Sequence, residues 1–277
     1  MSIIEALILG IVQGITEFLP ISSTAHIIIT SMLFDLTFEG YAFEILLHLG
    51  SVLAVMIYFR KDLIELIKGF FGYFTNKSPE NKVHFRFSIY IIVATIITGV
   101  LGVLLKDYFT ESLKTPPVIA LSLTMTGLFL IFIERFHKYG NTNESTMGLK
   151  ETILVGLGQA VAIFPGISRS GSTLVAALWS GLNKETAVRF SFLLSIPVIL
   201  GSTLLELRGE SLEALTTHGI VPLLVSFIAS FIFSILGIIW LIDFLKKSKL
   251  IYFAIYCFIL AAFVYFYLDP NTIMAFE

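Results

Sequence analysis

Two short polar segments interrupt apolar sequence and hold the residues that could do chemistry. The first reads QGITEFLPISSTAH over residues 13–26, and the second reads PGISRSGST over residues 165–173. Together they supply one carboxylate, one amide, one imidazole, one guanidinium and several hydroxyls: Gln13, Glu17, Ser22, Ser23, Thr24, His26, Ser168, Arg169, Ser170 and Thr173. This combination favours phosphoryl transfer, in which catalysis depends on positioning and on stabilising negative charge.

Arg169 predicts an anion site, and phosphate is the anion that fits best. Arginine stays charged at any relevant pH and binds phosphate through two parallel N–H groups. In both segments the serine and threonine residues come directly before an apolar stretch, where such residues cap helices and where free N–H groups attract anions. We therefore expect two helix N-termini to converge with Arg169 on one phosphate. Capping without any ligand is the alternative for the hydroxyls.

Glu17 and Gln13 are four residues apart, so on a helix they share one face. A carboxylate at membrane depth costs about 2.5–3.5 kcal/mol, so a cation, Arg169 or a hydrogen bond must offset its charge. Carboxylate and amide oxygens suit a hard divalent cation such as Mg²⁺ or Ca²⁺, with substrate phosphate completing the coordination. A purely structural ion pair between Glu17 and Arg169 is the alternative.

His26 follows Ser23 by three residues, so the two side chains could face the same side of a helix. A histidine beside a serine can act as general base or general acid. Ser23 would attack phosphorus or position a water that does, and His26 would handle the proton. His48, with Glu44 one turn before it, is a weaker candidate in the next apolar segment.

The elements that carry these residues belong in a membrane. Of 277 residues, 56% are hydrophobic and 14% are charged, and the mean hydropathy is +0.91. A soluble domain carries roughly 25% charged residues. The net charge of −2 and the lack of a recognisable module argue against a nucleic-acid partner. Cys257 is the only cysteine, which excludes a disulfide within the chain and a multi-cysteine metal site.

Six apolar segments have the length of a transmembrane helix, which is about 17–25 residues. They cover residues 42–59, 87–105, 116–134, 187–206, 219–243 and 251–268. Two further stretches, residues 3–34 and 150–181, are each divided by one of the polar segments into arms too short to cross. We predict an all-α integral membrane protein with six transmembrane helices and two re-entrant helical hairpins.

The two broken stretches resemble each other. Residues 5–26 and 151–172 align without a gap, with six identities in 22 positions, and their polar breaks coincide. We predict one membrane domain over residues 1–277 that contains an internal repeat. Repeat 1 covers about residues 1–139, and repeat 2 covers about residues 150–277.

The distribution of lysine and arginine predicts an inverted topology for the two repeats. Fourteen of the 18 basic residues fall on one side, mainly in the 60–86 and 135–150 loops and after residue 243. That side is cytoplasmic, so both termini lie outside, the hairpins enter from opposite faces and their breaks meet side by side near the membrane centre. Residues 62–74 are amphipathic and predicted to lie on the inner surface. Residues 140–148 are predicted to form an exposed flexible linker.

The two motifs resemble those of a known family. Residues 13–26 match the pattern (Glu/Gln)xxxE-FLP-[IV]SSTxH, and residues 165–173 match PGxSRSxxT. Together they resemble the undecaprenyl-diphosphate phosphatases of bacteria, the family associated with bacitracin resistance. The resemblance covers essentially the whole chain. It implies hydrolysis of undecaprenyl diphosphate to undecaprenyl phosphate and inorganic phosphate, which regenerates the carrier lipid for cell-wall synthesis.

The resemblance also implies a divalent cation, a location in the bacterial plasma membrane and an active site facing outside. Carried onto this chain, it makes Glu17, Ser23, His26 and Arg169 catalytic, assigns Ser22, Thr24, Ser168, Ser170 and Thr173 to phosphate binding, and assigns Gln13 and Glu17 to the cation. The first motif position is Gln13 rather than glutamate, which leaves Glu17 as the anionic ligand.

Several alternatives stay open at this point. The nucleophile is either Ser23, through a covalent phosphoserine, or a water molecule. Inverted repeats with broken helices are also how many carriers are built, so the chain could instead transport a prenyl phosphate lipid across the membrane. The predicted partners are undecaprenyl diphosphate and membrane lipid. Self-association into a homo-oligomer is left open.

Overall fold

The protein is described by a computed structural model that covers residues 1–34, 36, 42–105, 108, 113–137, 140–207, 219–247 and 249–269. These residues form α-helices joined by turns and short connections. The helices are α1 (Ile3–Thr16), α2 (Ser23–Phe34), α3 (Ala42–Tyr58), α4 (Arg60–Thr75), α5 (Pro79–Leu105), α6 (Pro116–Phe136), α7 (Leu149–Val161), α8 (Arg169–Trp179), α9 (Lys184–Leu207), α10 (Ile220–Lys247) and α11 (Ile251–Tyr267). The predicted all-helical fold is confirmed.

Four of these helices, α5, α6, α9 and α10, are long and apolar enough to cross a membrane. A fifth span results if α3 and α4, which meet at an angle of 74°, are counted together. Among the described residues α1, α2 and α11 are shorter apolar helices. Each of the six predicted spans coincides with one helix, but α3 and α11 have only 17 residues each, which is the lower end of the range for crossing.

The helices pack in pairs that recur in the two halves of the chain. Helix α1 packs along α2 and α10, and α7 packs along α8 and α5. Helix α3 contacts α10, and α9 contacts α5. Helices α6 and α11 pack on each other, as do α3 and α9. The chain between α1 and α2, and the chain between α7 and α8, therefore lie within the bundle.

A cluster of aromatic side chains anchors the α1–α2 connection to the bundle. Phe18 is buried and lies with its ring centroid 5.3 Å from that of Phe192 on α9. The ring of Phe192 in turn lies 5.4 Å from that of Phe59, at the end of α3. Aromatic pairs at this separation add to the stability gained from burial. The first polar break is thus fixed against α3 and α9.

Close packing of α1 against α10 requires glycine at position 10. A Cβ atom on Gly10 would lie 2.5 Å from the carbonyl oxygen of Ser226 and 2.7 Å from Cβ of Ala229. We expect Gly10→Ala to lower the free energy of unfolding by about 1–3 kcal/mol, because backbone atoms must move apart. The measurement is the thermal unfolding midpoint in detergent. Gly99→Ala is the matched control, since nothing lies within 4 Å of that Cβ position, and an equal loss there would contradict the prediction.

The connection from residue 60 to residue 86 is more ordered than its polar composition indicates. The predicted amphipathic stretch 62–74 lies within helix α4, which packs on α5. Its apolar side chains Ile67 and Phe71 are exposed, at 57% and 66%. This agrees with an amphipathic helix that presents an apolar face outside the bundle.

The prediction that residues 140–148 form a flexible linker is wrong. The N–H of Thr142 donates to the carbonyl of Gly181, and its own carbonyl accepts from the N–H of Asn183. Glu144 forms an ion pair with Arg189 at the start of α9. These contacts tie the segment to the α8–α9 turn. Three of the 18 basic residues counted for the topology, Lys106, Lys138 and Arg208, lie outside the described residues.

Candidate active site

The first polar break arises because α1 cannot continue past Pro20, which lacks an N–H group. Ser22 then adopts φ 70°, in the left-handed region that residues other than glycine rarely occupy. This conformation turns the chain sharply so that α2 begins at Ser23. The Ser22 hydroxyl accepts from the N–H of Ala25 at 3.2 Å, as a helix cap does.

The second break has the same construction with different residues. Gly166 has φ 83°, and a Cβ atom there would lie 2.9 Å from Ile119 on α6. The Ser168 hydroxyl accepts from the N–H of Gly171 at 3.0 Å, so α8 begins at Arg169. Helix α6 holds this break, because the hydroxyl of Ser122 donates to the carbonyl of Pro165 at 2.6 Å. The aligned serines of the two breaks therefore cap α2 and α8 in the same way.

The two breaks lie side by side, as the repeat predicts. Arg169 Nη2 forms an ion pair with Glu17 Oε1 across the junction. The hydroxyl of Ser170 donates to the carbonyl of Leu19 at 2.8 Å. Glu17 and Arg169, which are 152 positions apart in sequence, therefore meet where α1 and α7 end and α2 and α8 begin.

The carboxylate of Glu17 is buried, with 4% of the residue exposed, and it is surrounded by donors. Gln13 Nε2 donates to Glu17 Oε2 at 2.8 Å, which confirms that these two residues share a face of α1. The hydroxyl of Ser23 donates to the same oxygen at 2.7 Å. His48 Nδ1 lies 3.6 Å from it. With Arg169 on the other oxygen, the cost of burying this charge is offset by direct contacts.

A cavity of about 430 Å³ opens between the two breaks. Its polar floor comes from both breaks, and its apolar wall comes mainly from α9 and from the connection between α7 and α8. The lining residues are Glu17, Ser22, Ser23, Thr24, His48, Gly102, Ala162, Ile163, Ile167, Ser168, Arg169, Val198, Ile199, Ser202 and Leu205. Arg169 Nη1 is buried and has no hydrogen-bond partner in the described residues. A buried donor without an acceptor is costly, and Arg169 lines the cavity, so this nitrogen is a candidate donor to an anionic group.

His26 and Ser23 do not form a hydrogen bond with each other in this arrangement. Its Nδ1 lies 2.7 Å from the carbonyl oxygen of Ser22, and its Nε2 lies 2.7 Å from the hydroxyl of Tyr256 on α11. Since a carbonyl only accepts hydrogen bonds, Nδ1 carries the proton and Nε2 accepts from Tyr256 when the ring is neutral. The hydroxyl of Ser23 donates to Glu17 instead.

The remaining predicted phosphate ligands divide into two groups. Ser22, Thr24 and Ser168 line the cavity. Ser170 and Thr173 do not line it, because their hydroxyls donate to the carbonyls of Leu19 and Arg169 and so hold the second break in place. Tyr256, Ser122 and Thr126, which support the breaks from α6 and α11, were not predicted.

The side chains around Glu17 supply only part of the ligand set that the predicted cation needs. Glu17 is the one carboxylate that lines this cavity among the described residues. In that part of the chain no group of three or more His, Cys, Asp and Glu side chains is placed to hold a metal ion. Gln13 and Glu17 could therefore supply an amide oxygen and a carboxylate oxygen, and substrate oxygens would have to supply much of the remaining coordination.

A family profile described as "Bacitracin resistance protein BacA" matches residues 6–263, which include both polar breaks, all of helices α2 to α10 and most of α1 and α11. The chain belongs to this family. The BacA family is thus matched over the cavity and over the helices that position it.

Individual relatives match this BacA-family chain along almost its whole length. It is 64% identical to "Undecaprenyl-diphosphatase 2" of Halalkalibacterium halodurans, with all of both chains covered. It is 57% identical to "Undecaprenyl-diphosphatase 1" of Shouchella clausii, covering 97% of this chain and 98% of the relative. It is 41% identical to "Undecaprenyl-diphosphatase 2" of Bacillus thuringiensis, covering 96% and 98%.

Proposed function

We propose that this protein is an undecaprenyl-diphosphatase, which hydrolyses undecaprenyl diphosphate to undecaprenyl phosphate and inorganic phosphate. The observation that carries the proposal is the buried, unpartnered Arg169 Nη1 beside a serine hydroxyl that already contacts a carboxylate. The names of three full-length relatives support the same activity. They do not support the alternative of lipid transport, which needs neither a nucleophile nor a proton acceptor.

The substrate diphosphate binds in the cavity between the two breaks. Arg169 Nη1 contacts the terminal phosphate while Nη2 keeps its ion pair with Glu17. The starts of α2 and α8 direct free N–H groups and the positive ends of their helix dipoles at the same anion, and Ser22, Thr24 and Ser168 add hydroxyl donors. The apolar wall formed by α9 and by the connection between α7 and α8 gives the prenyl chain a way toward lipid.

The proposed reaction begins with attack of Ser23 Oγ on the terminal phosphorus. Glu17 Oε2 accepts the hydroxyl proton, because it already receives that hydrogen bond at 2.7 Å. The bond from phosphorus to the bridging oxygen breaks, and undecaprenyl phosphate leaves with that oxygen. Water then hydrolyses the phosphoserine and releases inorganic phosphate. Direct attack by a water that Ser23 and Glu17 position is the alternative sequence.

In this proposal Arg169 stabilises the charge that develops on the transferred phosphoryl group, which is the largest contribution a protein makes to such reactions. His26 was predicted to take the proton from Ser23. Its contacts support a positioning role instead. The ring binds the carbonyl of Ser22 and thereby holds the turn that orients Ser23. Glu17 is closer to Ser23 and is proposed as the first proton acceptor.

We propose that a divalent cation, Mg²⁺ or Ca²⁺, completes the site. Glu17 would hold it through Oε2 and Gln13 through its amide oxygen, with phosphate oxygens of the substrate as further ligands. A carboxylate oxygen has more than one lone pair, so Oε2 can accept from Ser23 and face a cation. The cation, when bound, neutralises negative charge on the diphosphate.

The recurring contacts between helices support an inverted repeat. The aligned glycines Gly10 and Gly156 both face a neighbouring helix closely, Gly10 against α10 and Gly156 against α5 at Ala94. We propose that α3, α5, α6, α9, α10 and α11 cross the plasma membrane of a bacterium and that the two broken stretches are re-entrant hairpins. The active site then faces outside, where the lipid carrier is recycled.

Cysteine labelling tests this topology in cells. In a Cys257→Ala background, a membrane-impermeant maleimide is expected to label Tyr108→Cys in intact cells, since Tyr108 is 74% exposed after α5. Lys77→Cys, between α4 and α5, is expected to react only after permeabilisation. Labelling of the Lys77 position in intact cells would reverse the proposed orientation.

Phosphate release from undecaprenyl diphosphate by the purified protein in detergent tests the proposed function. We expect release that depends on a divalent cation, measured with and without Mg²⁺ or Ca²⁺, and we expect Arg169→Ala to lower it by about 10³-fold or more. If folded protein releases no phosphate with any cation, the hydrolytic proposal fails and lipid transport becomes the better interpretation.

A further inference from the structure

Three polar atoms from three different residues meet beside the cavity. Gln13 Nε2 lies 2.8 Å from Glu17 Oε2 and 3.0 Å from His48 Nδ1, and Glu17 Oε2 lies 3.6 Å from His48 Nδ1. The nitrogen and oxygen of a glutamine amide exchange places by a half turn of the amide, without any other movement. The same triangle can therefore present a carboxylate oxygen, an amide oxygen and an imidazole nitrogen, which are all metal ligands.

The size of this triangle matches a metal site. Nitrogen and oxygen ligands lie about 2.0–2.2 Å from a small divalent cation. Three donor atoms separated by 2.8, 3.0 and 3.6 Å can all lie at that distance from one point. We infer that His48 is a third protein ligand, beside Glu17 and Gln13, of a divalent cation at this site.

The carboxylate behind His48 is an independent observation that points the same way. His48 Nε2 lies 3.7 Å from Glu44 Oε1, one turn earlier on α3. Metal-binding histidines usually direct their second ring nitrogen at a carboxylate, carbonyl or water, which fixes the ring and makes the ligating nitrogen more basic. Glu44 stands where such a supporting carboxylate is needed.

The orientation of Glu17 also fits this assignment. Its Oε1 is held by Arg169, so Oε2 is the oxygen turned toward Gln13 and His48. Glu17 and His48 both line the cavity. A cation bound to them would lie at the cavity surface, where phosphate oxygens could reach it.

A nitrogen ligand changes which cation the site prefers. Calcium selects oxygen ligands. Imidazole binds Zn²⁺ more strongly than Mn²⁺, and it binds Mn²⁺ more strongly than Ca²⁺. With His48 as a ligand, Mn²⁺ is expected to bind more tightly than Ca²⁺. The inference rests on the proposed function for the role of the cation, but the binding of Mn²⁺ is measured without any substrate.

Pulsed electron paramagnetic resonance of Mn²⁺ bound to the purified protein tests the assignment directly, because a coordinated imidazole adds a modulation from its nitrogen. We expect this modulation in the natural protein and in His137→Gln, a matched control at the end of α6. His48→Gln is expected to lose it and to bind Mn²⁺ about 10- to 100-fold more weakly. His48→Asn is the second variant if His48→Gln does not fold.

Three results would overturn the inference: nitrogen modulation that persists in folded His48→Gln or His48→Asn, Mn²⁺ bound to the natural protein without such modulation, or no Mn²⁺ binding by the folded natural protein. Phosphate release from the same preparations separates this inference from the proposed function. Phosphate release without nitrogen modulation would show that His48 is not a ligand, while the phosphatase proposal would stand. Nitrogen modulation without phosphate release would support His48 as a ligand, while the phosphatase proposal would fail.

Discussion

Arg169→Ala is expected to lower kcat/KM for phosphate release by about 10³-fold or more, the size found when a phosphoryl-transfer site loses its charge-stabilising arginine. Arg169 is the one lysine or arginine among the described residues that line the cavity, and its Nη1 is buried without a hydrogen-bond partner there. Arg169→Lys keeps the charge but cannot offer two parallel donors, so it should recover only part of the activity. Arg135→Ala, at an exposed position in the last turn of α6, is the matched control and should behave like the natural protein.

A loss of folding must be separated from a loss of chemistry, because removal of Arg169 leaves the Glu17 carboxylate buried alone. Breaking a buried ion pair in this way costs about 3–5 kcal/mol. The double variant Glu17→Gln with Arg169→Gln removes both charges together and should restore the unfolding midpoint. It should stay inactive if the pair serves catalysis. Recovery of phosphate release in the double variant would mean that the pair is structural only.

The helices were largely predictable because their signal is local. The predicted segment 42–59 corresponds to α3 at Ala42–Tyr58, and 251–268 corresponds to α11 at Ile251–Tyr267. A run of apolar residues that ends at a charged or polar stretch fixes both ends of such a helix. Helix α5 begins earlier than predicted, at Pro79 rather than at residue 87, because a polar helix start gives no hydropathy signal.

The connections were less predictable, since their order depends on distant partners. Residues 140–148 have the composition of a flexible linker, yet Glu144 pairs with Arg189, which also contacts Asp62 at 2.6 Å. These three residues come from three separate parts of the chain. A sequence pattern reports the turn-forming residues of the segment but not the ion pair that holds it.

The site residues, like the helices, were predictable where the information is local in sequence and were not predictable where it depends on distant contacts. The motifs identified Glu17, Ser23 and Arg169, which do lie together. They could not establish where His26 points, because the position of Tyr256 depends on how α11 packs. His48 was only a weak candidate, since a single histidine on an apolar helix has no local pattern that separates a ligand from a buried structural residue.

Ser23→Ala is expected to lower phosphate release by at least about 10³-fold, because nucleophile replacement removes the covalent route and leaves only electrostatic stabilisation and binding. The hydroxyl lies 2.7 Å from Glu17 Oε2, and among the described residues it is the hydroxyl that donates a hydrogen bond to this carboxylate. Ser31→Ala is the matched control on the same helix. The Ser31 hydroxyl donates to the carbonyl of Ile27 at 2.8 Å, away from the cavity, and its loss should leave turnover unchanged.

The two proposed sequences of the reaction differ in what accumulates on Ser23. If Ser23 is the nucleophile, acid quenching during turnover should trap a phosphoryl group on the peptide that contains Ser23, and the Ser23→Ala protein should trap none. If a positioned water attacks, no phosphoserine forms, although Ser23→Ala still loses activity because the water is no longer held against Glu17. Near-normal turnover by folded Ser23→Ala would contradict both sequences, and the contact between Ser23 and Glu17 would then serve only to neutralise the buried carboxylate.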